Sequence, residues 1–310
     1  MFDRSTDLSI TCEGEPERGS EAWVTQEYLF GNSSCVFPFP EKAQNRDLKR
    51  AMTLQMEDES AVRKDVTDKL VSALKTGGFV LYSQKIVQLA PGDARPFQEV
   101  LVRFKEEEEK LLPPGTFFPM LQEYRLLPHV DRWVVGRLAA WIQEARAKKP
   151  DWPVPANGVN LSEDTLREPR FADFVLKTLQ SSNLPEGTLS FELGWDTALL
   201  NADPLKNIQA RLGPAACRFT LAGFDGSEGS FNFLKVVKPD FVKLTYGIVR
   251  DIGRSLAASE KTESINRKCR AMGIKTIAEY VESREVLEHL RLIEVDFAQG
   301  LVVSAPQRLI

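Results

Sequence analysis

The sequence contains few of the residues that build zinc centres or disulfide frameworks. Only four cysteines and two histidines occur in its 310 residues. The cysteines show no CxxC spacing, so we expect reduced thiols in a cytoplasmic protein. The histidines fall in stretches with helical spacing, and a histidine-based triad is not expected. These residues are Cys12, Cys35, Cys217, Cys269, His129 and His289.

Long apolar runs and an excess of positive charge are also missing. No stretch approaches the ~18 apolar residues of a membrane helix, and the polar, acidic N-terminus is unlike a signal peptide. The net charge of −4 argues against binding of duplex nucleic acid, which needs a basic face. A small anionic ligand held in a local pocket remains compatible with this composition.

The first 60 residues differ from the rest of the chain. They carry Gly, Pro, Ser and Glu without sustained periodicity, which predicts a partly flexible N-terminal extension over residues 1–60. A small partner-binding element is the alternative. A polar, helix-prone stretch that ends in glycines predicts a helix over 61–75, at the start of a second domain over 61–310.

From Gly77 onward, short β-type runs recur with helical segments between several of them. Alternation of strand and helix, repeated about eight times, predicts a parallel (β/α)-type barrel, a fold that needs about 250 residues. The predicted strands are 79–84, 98–104, 158–161, 189–193, 218–222, 240–244, 274–279 and 296–303.

Polar side chains recur in or beside nearly every predicted strand. Barrel enzymes place their chemistry at the C-terminal strand ends, and unpaired charge inside a strand costs several kcal/mol. Each carboxylate alone could simply pair with a lysine or arginine, but the set indicates an oxygen-rich site that suits Mg²⁺, Mn²⁺ or Ca²⁺. Its members are Gln84, Glu99, Arg103, Asn160, Glu192, Lys243, Glu279, Glu282 and Gln299.

These motifs resemble a known family. The pieces FVLYSQKIVQL, EVLVR, LLPPGTFFP, VDRWVV, VNLS, LSFEL, FVKL, IAEYVES and FAQGLVVSAP occur in order. Together they resemble the EAL domain, a bacterial family of cyclic di-GMP phosphodiesterases, over about residues 64–310. The resemblance implies a modified (β/α)8 barrel whose first strand runs antiparallel. It also implies hydrolysis of one phosphodiester bond by a water that two divalent metals activate.

The resemblance assigns remnant metal ligands and catalytic groups. Glu99 is the glutamate of the name-giving motif, Asn160 matches the asparagine of VNLS, and Glu192 matches the first acid of E-x-T-E. Glu279 matches the first acid of AEGVE, which also serves near the attacking water, and Lys243 matches the family lysine. Residues implied to bind the nucleotide are Gln84, Glu99, Leu101, Arg103, Asp131, Asn160, Glu282 and Gln299.

The match fails where the family has Asp-Asp-Phe-Gly-Thr-Gly, whose aspartates bridge the metals. This chain has Ala222 and Gly223 at those positions, and Trp195 and Thr245 replace two further acids. Asp225 lies two to three residues onward, roughly 7–10 Å along an extended strand, whereas metal–oxygen bonds need about 2.0–2.6 Å. Because paired dications need several anionic ligands, we expect no required cofactor, and Mg²⁺ or Mn²⁺ only if residual metal binding survives.

Two functions from different classes follow from this mixed pattern. The first is a catalytically inactive receptor that binds cyclic di-GMP, in which the planar guanidinium of Arg103 binds a phosphate. The second is an adaptor that has lost the nucleotide and contacts a protein partner, favoured by Trp195 and by the altered segment over residues 119–126. An active phosphodiesterase is the third alternative. A homodimer is left open by the resemblance.

Overall fold

The computed structural model describes residues 68–89, 95–105 and 118–310. The predicted N-terminal extension over residues 1–60 lies outside these ranges, as do residues 61–67 of the predicted helix. Residues 68–76 are helical, here named α1, and Leu70 in this helix is buried against the main core. The domain boundary at residue 61 therefore stays a prediction.

Nine strands of the described chain form one sheet, in the order β2-β3-β4-β5-β6-β7-β8-β1-β9. An additional pairing of β1 with β2 closes the first eight strands into a barrel. The strands are β1 Phe79–Gln88, β2 Phe97–Phe104, β3 Ala156–Asn160, β4 Leu189–Gly194, β5 Arg218–Phe224, β6 Phe241–Leu244, β7 Lys275–Ala278, β8 Phe297–Ala298 and β9 Gln307–Arg308.

Helices follow most of these strands and cover the barrel. The long helix α3 buries Val130, Val134, Leu138 and Ile142, a spacing of four residues that places them on one face. The remaining helices are α2 Phe118–Glu123, α3 Leu127–Lys148, α4 Glu163–Leu166, α5 Phe171–Ser181, α6 Trp195–Leu200, α7 Ala202–Leu212, α8 Glu228–Val237, α9 Tyr246–Val249, α10 Leu256–Ala271 and α11 Arg284–Leu292.

The first strand runs against its neighbours, which confirms the predicted fold class. Strand β1 pairs antiparallel with β2, where Gln84 lies opposite Glu99, and antiparallel with β8, where Val87 lies opposite Ala298. Strands β2 to β8 pair in parallel. The carboxyl ends of seven strands therefore meet at one mouth of the barrel.

The predicted last strand over 296–303 is wrong in extent, because β8 ends at Ala298. At Gly300 the backbone φ is +159°, and a Cβ there would lie 2.2 Å from the backbone nitrogen of Val281. The chain then turns, with the N–H groups of Val303 and Ser304 donating to the Gly300 carbonyl. A glycine that allows this close approach thus ends the strand early.

An apolar cluster fills the barrel below the mouth. It consists of Ile86, Phe97, Ala156, Phe241, Ile277 and Phe297, all buried. The Phe241 ring lies 5.4 Å from that of Phe97 and 5.8 Å from that of Phe297. Since side chains alternate along a strand, Glu99, Lys243 and Gln299 lie one layer above these rings, on the same inward face.

Three predictions made from composition can be compared with the structure. Cys217 and Cys269 are free and buried, and burial raises the pKa of each thiol to about 12, while Cys12 and Cys35 lie outside the described residues. His129 and His289 lie in α3 and α11, as expected. No helix in the described part of the chain has the length and apolar character needed to cross a membrane.

Candidate functional site at the carboxyl ends of the strands

Lys243 on β6 is the centre of the polar layer. Its buried Nζ donates hydrogen bonds of 2.8 Å to Glu99 Oε2 and 2.8 Å to Glu192 Oε1, and lies 3.3 Å from Glu279 Oε1. Carboxylate oxygens of the three glutamates lie within 4.8 Å of one another. Because a buried ammonium is costly unless it is paired, these three carboxylates act as its counter-charge.

The charges of this cluster control each other's protonation. Burial opposes the charged lysine, but attraction to Glu192 and Glu99 outweighs it and holds the pKa of Lys243 well above its usual range. Burial, together with the charge of Glu99, raises the pKa of Glu192 to about 8. At Glu99 the attraction of Lys243 outweighs burial and lowers the pKa. Lys243 thus favours the ionised form of Glu99, while Glu192 keeps its proton to a higher pH than an exposed glutamate does.

Neutral amides complete the site on the side of β1, β2, β3 and β8. Gln299 Nε2 donates to Glu99 Oε2 at 2.7 Å and to Gln84 Oε1 at 3.0 Å. Asn160 Nδ2 donates to Glu99 Oε1 at 2.9 Å, and Gln84 Nε2 donates to the Ser304 carbonyl at 2.9 Å. This orientation leaves Gln299 Oε1 buried without a hydrogen-bond partner. A buried acceptor of this kind is costly unless something donates to it.

The end of β5, where the family has its aspartate pair, has a different chemistry. Ala222 lies opposite Lys243 in the β5–β6 register. Gly223 has a backbone φ of +88°, and a Cβ there would lie 3.5 Å from Trp195 Cβ. The half-buried Trp195 ring packs on Phe224 and Phe233, each with its centroid 5.4 Å away. This edge of the mouth therefore lies beside aromatic rings of the apolar core and lacks carboxylates at positions 222 and 223.

Asp225 does not join the polar layer through any described hydrogen bond. It is exposed, and its Oδ1 accepts from the backbone N–H of Ser227 at 2.9 Å and from Ser230 Oγ at 2.6 Å. The partial burial of Asp225 opposes its charge, but these hydrogen bonds outweigh it and lower the pKa. Ser227 caps α8, so Asp225 stabilises the first turn of that helix.

Asp131 is buried in α3 and bonds to the connection after β3. Its Oδ2 accepts from the backbone N–H of Ser162 at 3.0 Å and from Ser162 Oγ at 2.7 Å. Burial raises the pKa of Asp131 despite these bonds. Ser162 follows Asn160 by two residues and caps α4, so Asp131 fixes the backbone just beyond Asn160. Its role in nucleotide binding stays a prediction.

The remaining predicted ligand contacts lie around the mouth. Leu101 and Arg103 share the inward face of β2 with Glu99. Arg103 is half-buried, with Nη1 donating to the Val102 carbonyl at 2.9 Å and its guanidinium 5.9 Å from the Tyr82 ring centroid. Glu282 is exposed and takes no part in the Lys243 network. The structure thus brings Gln84, Glu99, Asn160, Glu192, Lys243, Glu279 and Gln299 into contact.

Comparison with known proteins identifies the class. The family model described as EAL domain matches residues 67–306, and the chain therefore belongs to the EAL domain family. It is 27% identical over 241 residues to cyclic di-GMP phosphodiesterase PdeB of Shewanella oneidensis, covering 78% of this chain and 28% of that protein. It is 29% identical over 277 residues to cyclic di-GMP phosphodiesterase PdeF of Escherichia coli K12, covering 89% and 36%.

Solved EAL domains share the fold. The Xanthomonas citri FimX EAL domain in complex with c-diGMP aligns with a TM-score of 0.73 at 23% identity, covering 81% of this chain and 97% of that one. The Pseudomonas aeruginosa FimX EAL domain bound to c-di-GMP aligns with a TM-score of 0.71 at 25% identity, covering 78% and 96%. The chain thus spans nearly all of these solved domains but only about a third of the curated relatives' length.

The metal pair that the family uses does not fit the residues present. Lys243 already holds the three carboxylates of the cluster within 3.3 Å, and the other oxygen donors, on Asn160, Gln84 and Gln299, are neutral amides. Two dications would add four positive charges beside this ammonium, and positions 222 and 223 supply no anion to offset them. The donor set therefore lacks the charge that a pair of divalent ions needs.

Proposed function

We propose that this chain is a regulatory EAL domain that binds cyclic di-GMP without hydrolysing it. The proposal depends on one observation, which is that two sides of the barrel mouth differ in their chemistry. Gln84, Glu99, Asn160 and Gln299 are joined by hydrogen bonds, whereas the end of β5 has Ala222 and Gly223 beside Trp195. This contrast supports a site that keeps groups able to contact the nucleotide but has no carboxylate at positions 222 and 223.

The lack of hydrolysis follows from how water is activated. A water molecule becomes a nucleophile near neutral pH when a bound metal lowers its pKa from far above that range to about 7. Glu279 is the remaining candidate base, and its carboxylate lies 3.3 Å from the Lys243 ammonium. This contact already pairs the carboxylate with an internal cation. A base of this kind cannot replace two metals.

Metal-independent binding of a dianion is favoured by the charges of the mouth. Because Lys243 pairs with Glu99, Glu192 and Glu279, the site repels an anion less than a cluster of free carboxylates would. Arg103 offers a planar guanidinium suited to phosphate. Two solved FimX EAL domains of the same fold hold cyclic di-GMP, which supports the proposal.

Isothermal titration calorimetry with cyclic di-GMP tests it, once in EDTA and once in Mg²⁺. We expect micromolar affinity that is the same in both buffers. Arg103→Ala should weaken binding at least tenfold, since charge-assisted bonds to phosphate are worth about 1.5–3 kcal/mol, with Arg103→Lys intermediate as the matched control. Absence of heat in both buffers, for a folded protein, would contradict the proposal.

A protein-binding adaptor is the second candidate. Helix α6 begins at Trp195 and exposes two large apolar side chains, Leu199 at 52% and Leu200 at 74%. Exposed apolar side chains beside a half-buried tryptophan are typical of a contact surface. This function predicts no heat with cyclic di-GMP in either buffer. The protein partner, a homodimer and the cytoplasmic location remain predictions from the sequence.

A further inference from the structure

Two tyrosines that the sequence analysis did not single out stand together at the rim of the mouth. Strands β6 and β7 pair in parallel with Leu244 opposite Ala278, and Tyr246 and Tyr280 each follow two residues later. Their rings meet edge to face, with centroids 5.9 Å apart and planes at 87°. Tyr246 keeps 43% of its surface exposed. An aromatic surface therefore borders the site at this point.

The backbone of Tyr280 is held in an unfavourable conformation. Its φ is +56°, in the left-handed region that bulky residues rarely adopt. Such conformations persist where surrounding structure enforces them and often lie at ligand sites. Tyr280 directly follows Glu279, whose carboxylate contacts Lys243. The AEGVE motif has glycine at the position of Tyr280, which is the sequence signal that marks this departure.

Tyr246 is also held by a charged neighbour. The guanidinium of Arg250 lies 5.9 Å from the centroid of the Tyr246 ring. Arg250 is fixed in turn by Asp251, with Nε and Nη2 donating to its carboxylate at 3.0 and 2.9 Å. The Tyr246 ring thus contacts both Tyr280 and Arg250, and little rotamer freedom remains to be lost on binding.

We propose that Tyr246 stacks on one purine base of the bound cyclic dinucleotide and that Tyr280 and Arg250 position its ring. This inference rests on the proposed function. Strands β2 and β6 lie four places apart in the eight-stranded barrel, so Arg103 and Tyr246 stand at opposite edges of the mouth. A ligand with bases on both sides of a phosphate ring is suited to reach both edges. Aromatic side chains bind bases through their π-faces with little sequence preference.

Calorimetry on Tyr246→Ala, with Tyr246→Phe as the matched control, tests the stacking. Tyr246→Ala should weaken cyclic di-GMP binding about tenfold, in line with base–aromatic stacking, while Tyr246→Phe stays within about twofold. Circular dichroism melts confirm that each variant folds. Tyr280→Gly relaxes the backbone but removes the ring that supports Tyr246, so it should bind several-fold more weakly without a lower Tm.

The outcomes separate this inference from the proposed function. If the wild type binds and folded Tyr246→Ala binds equally well, the stacking role is wrong and the proposed function stands. If the wild type binds nothing, the proposed function is wrong and the stacking role falls with it. Unchanged nucleotide affinity together with an altered oligomeric state in Tyr246→Ala would assign this surface to protein contacts and overturn the inference.

Discussion

The two edges of the barrel mouth are built from opposite chemistry on one continuous sheet. On the side of β1, β2 and β8, Gln299 donates hydrogen bonds to Gln84 and Glu99. On the side of β4 and β5, Trp195 packs on Phe224 and beside Gly223. The polar edge retains groups that can bind a ligand, whereas the aromatic edge has exchanged them for packing. Under the proposed function, the polar edge would bind the nucleotide without a metal pair.

Lys243 explains how the two edges coexist. Three carboxylates without paired metals would repel one another in a buried site. The lysine ammonium lies within 3.3 Å of all three and provides an internal counter-charge. The polar edge is thus stabilised from within the protein, and the comparison between the edges can be tested by changing this lysine and the residues on each side of it.

Removal of Lys243 should have the largest effect. Lys243→Met leaves buried carboxylates without a partner, and breaking a buried ion pair costs about 3–5 kcal/mol. The free energy of unfolding, measured by urea denaturation, should fall by this amount. Lys235→Met on α8, where the lysine is exposed, is the control and should change stability by less than about 0.5 kcal/mol. A loss below about 1 kcal/mol for Lys243→Met would contradict its role as counter-charge.

Trp195 should matter for stability more than for binding. Trp195→Ala removes contacts with Phe224 and Phe233 from a half-buried position, and we expect a loss of about 2–3 kcal/mol, below the 3–5 kcal/mol of a fully buried ring. The affinity for cyclic di-GMP should stay within about threefold, and Trp195→Phe should recover much of the stability. A more than tenfold loss of affinity at unchanged stability would show that the aromatic edge binds the ligand.

Gln299 should matter for nucleotide binding more than for stability. Gln299→Leu removes two hydrogen bonds and should cost about 1–2 kcal/mol of stability, together with at least a tenfold loss of affinity for cyclic di-GMP. Gln98→Leu is the matched control, because Gln98 donates to Asn157 at 2.8 Å on the other face of β2. It should lose comparable stability and keep its affinity. Equal affinities for the two variants would contradict the claim that the polar edge binds cyclic di-GMP.

The protonation of Glu192 predicts a pH dependence with a defined sign. Its pKa of about 8 lies above the ordinary 4.5, so between these values the folded state holds a proton that the unfolded state has lost. Stability should therefore fall as pH rises from about 5 to 8, by roughly 1 kcal/mol between pH 6 and 7 and at most 1.4 kcal/mol per pH unit.

Glu192→Gln should lack this contribution, since an amide cannot release a proton. Urea midpoints of both proteins at pH 5.5, 6.5 and 7.5 measure the difference. The pKa shifts of Glu99 and Lys243 change stability only below pH 4.5 and above pH 10.5, outside this window. Identical slopes for the two proteins would show that Glu192 is ionised throughout.

The alternating pattern was sufficient to predict the barrel, whereas its antiparallel first strand was implied only by the resemblance to the EAL family. The motifs also marked the inward polar residues, because strand ends fix which face each side chain occupies. The short β8 was not predictable, since the approach of Gly300 to the Val281 backbone joins residues distant in the pattern. Tertiary geometry likewise determines three contacts that were not predicted. These are the contacts of Lys243, the bonds from Ser162 to Asp131 and the Tyr246–Tyr280 pair.

Incubation with cyclic di-GMP in Mg²⁺ and in Mn²⁺, followed by chromatography of the nucleotide, tests the central claim most directly. The account predicts that the cyclic dinucleotide is recovered intact from a protein that binds it, also in EDTA. Steady release of the linear dinucleotide that requires the metal and is lost in Glu99→Ala would contradict the account and show that the chain is an active phosphodiesterase.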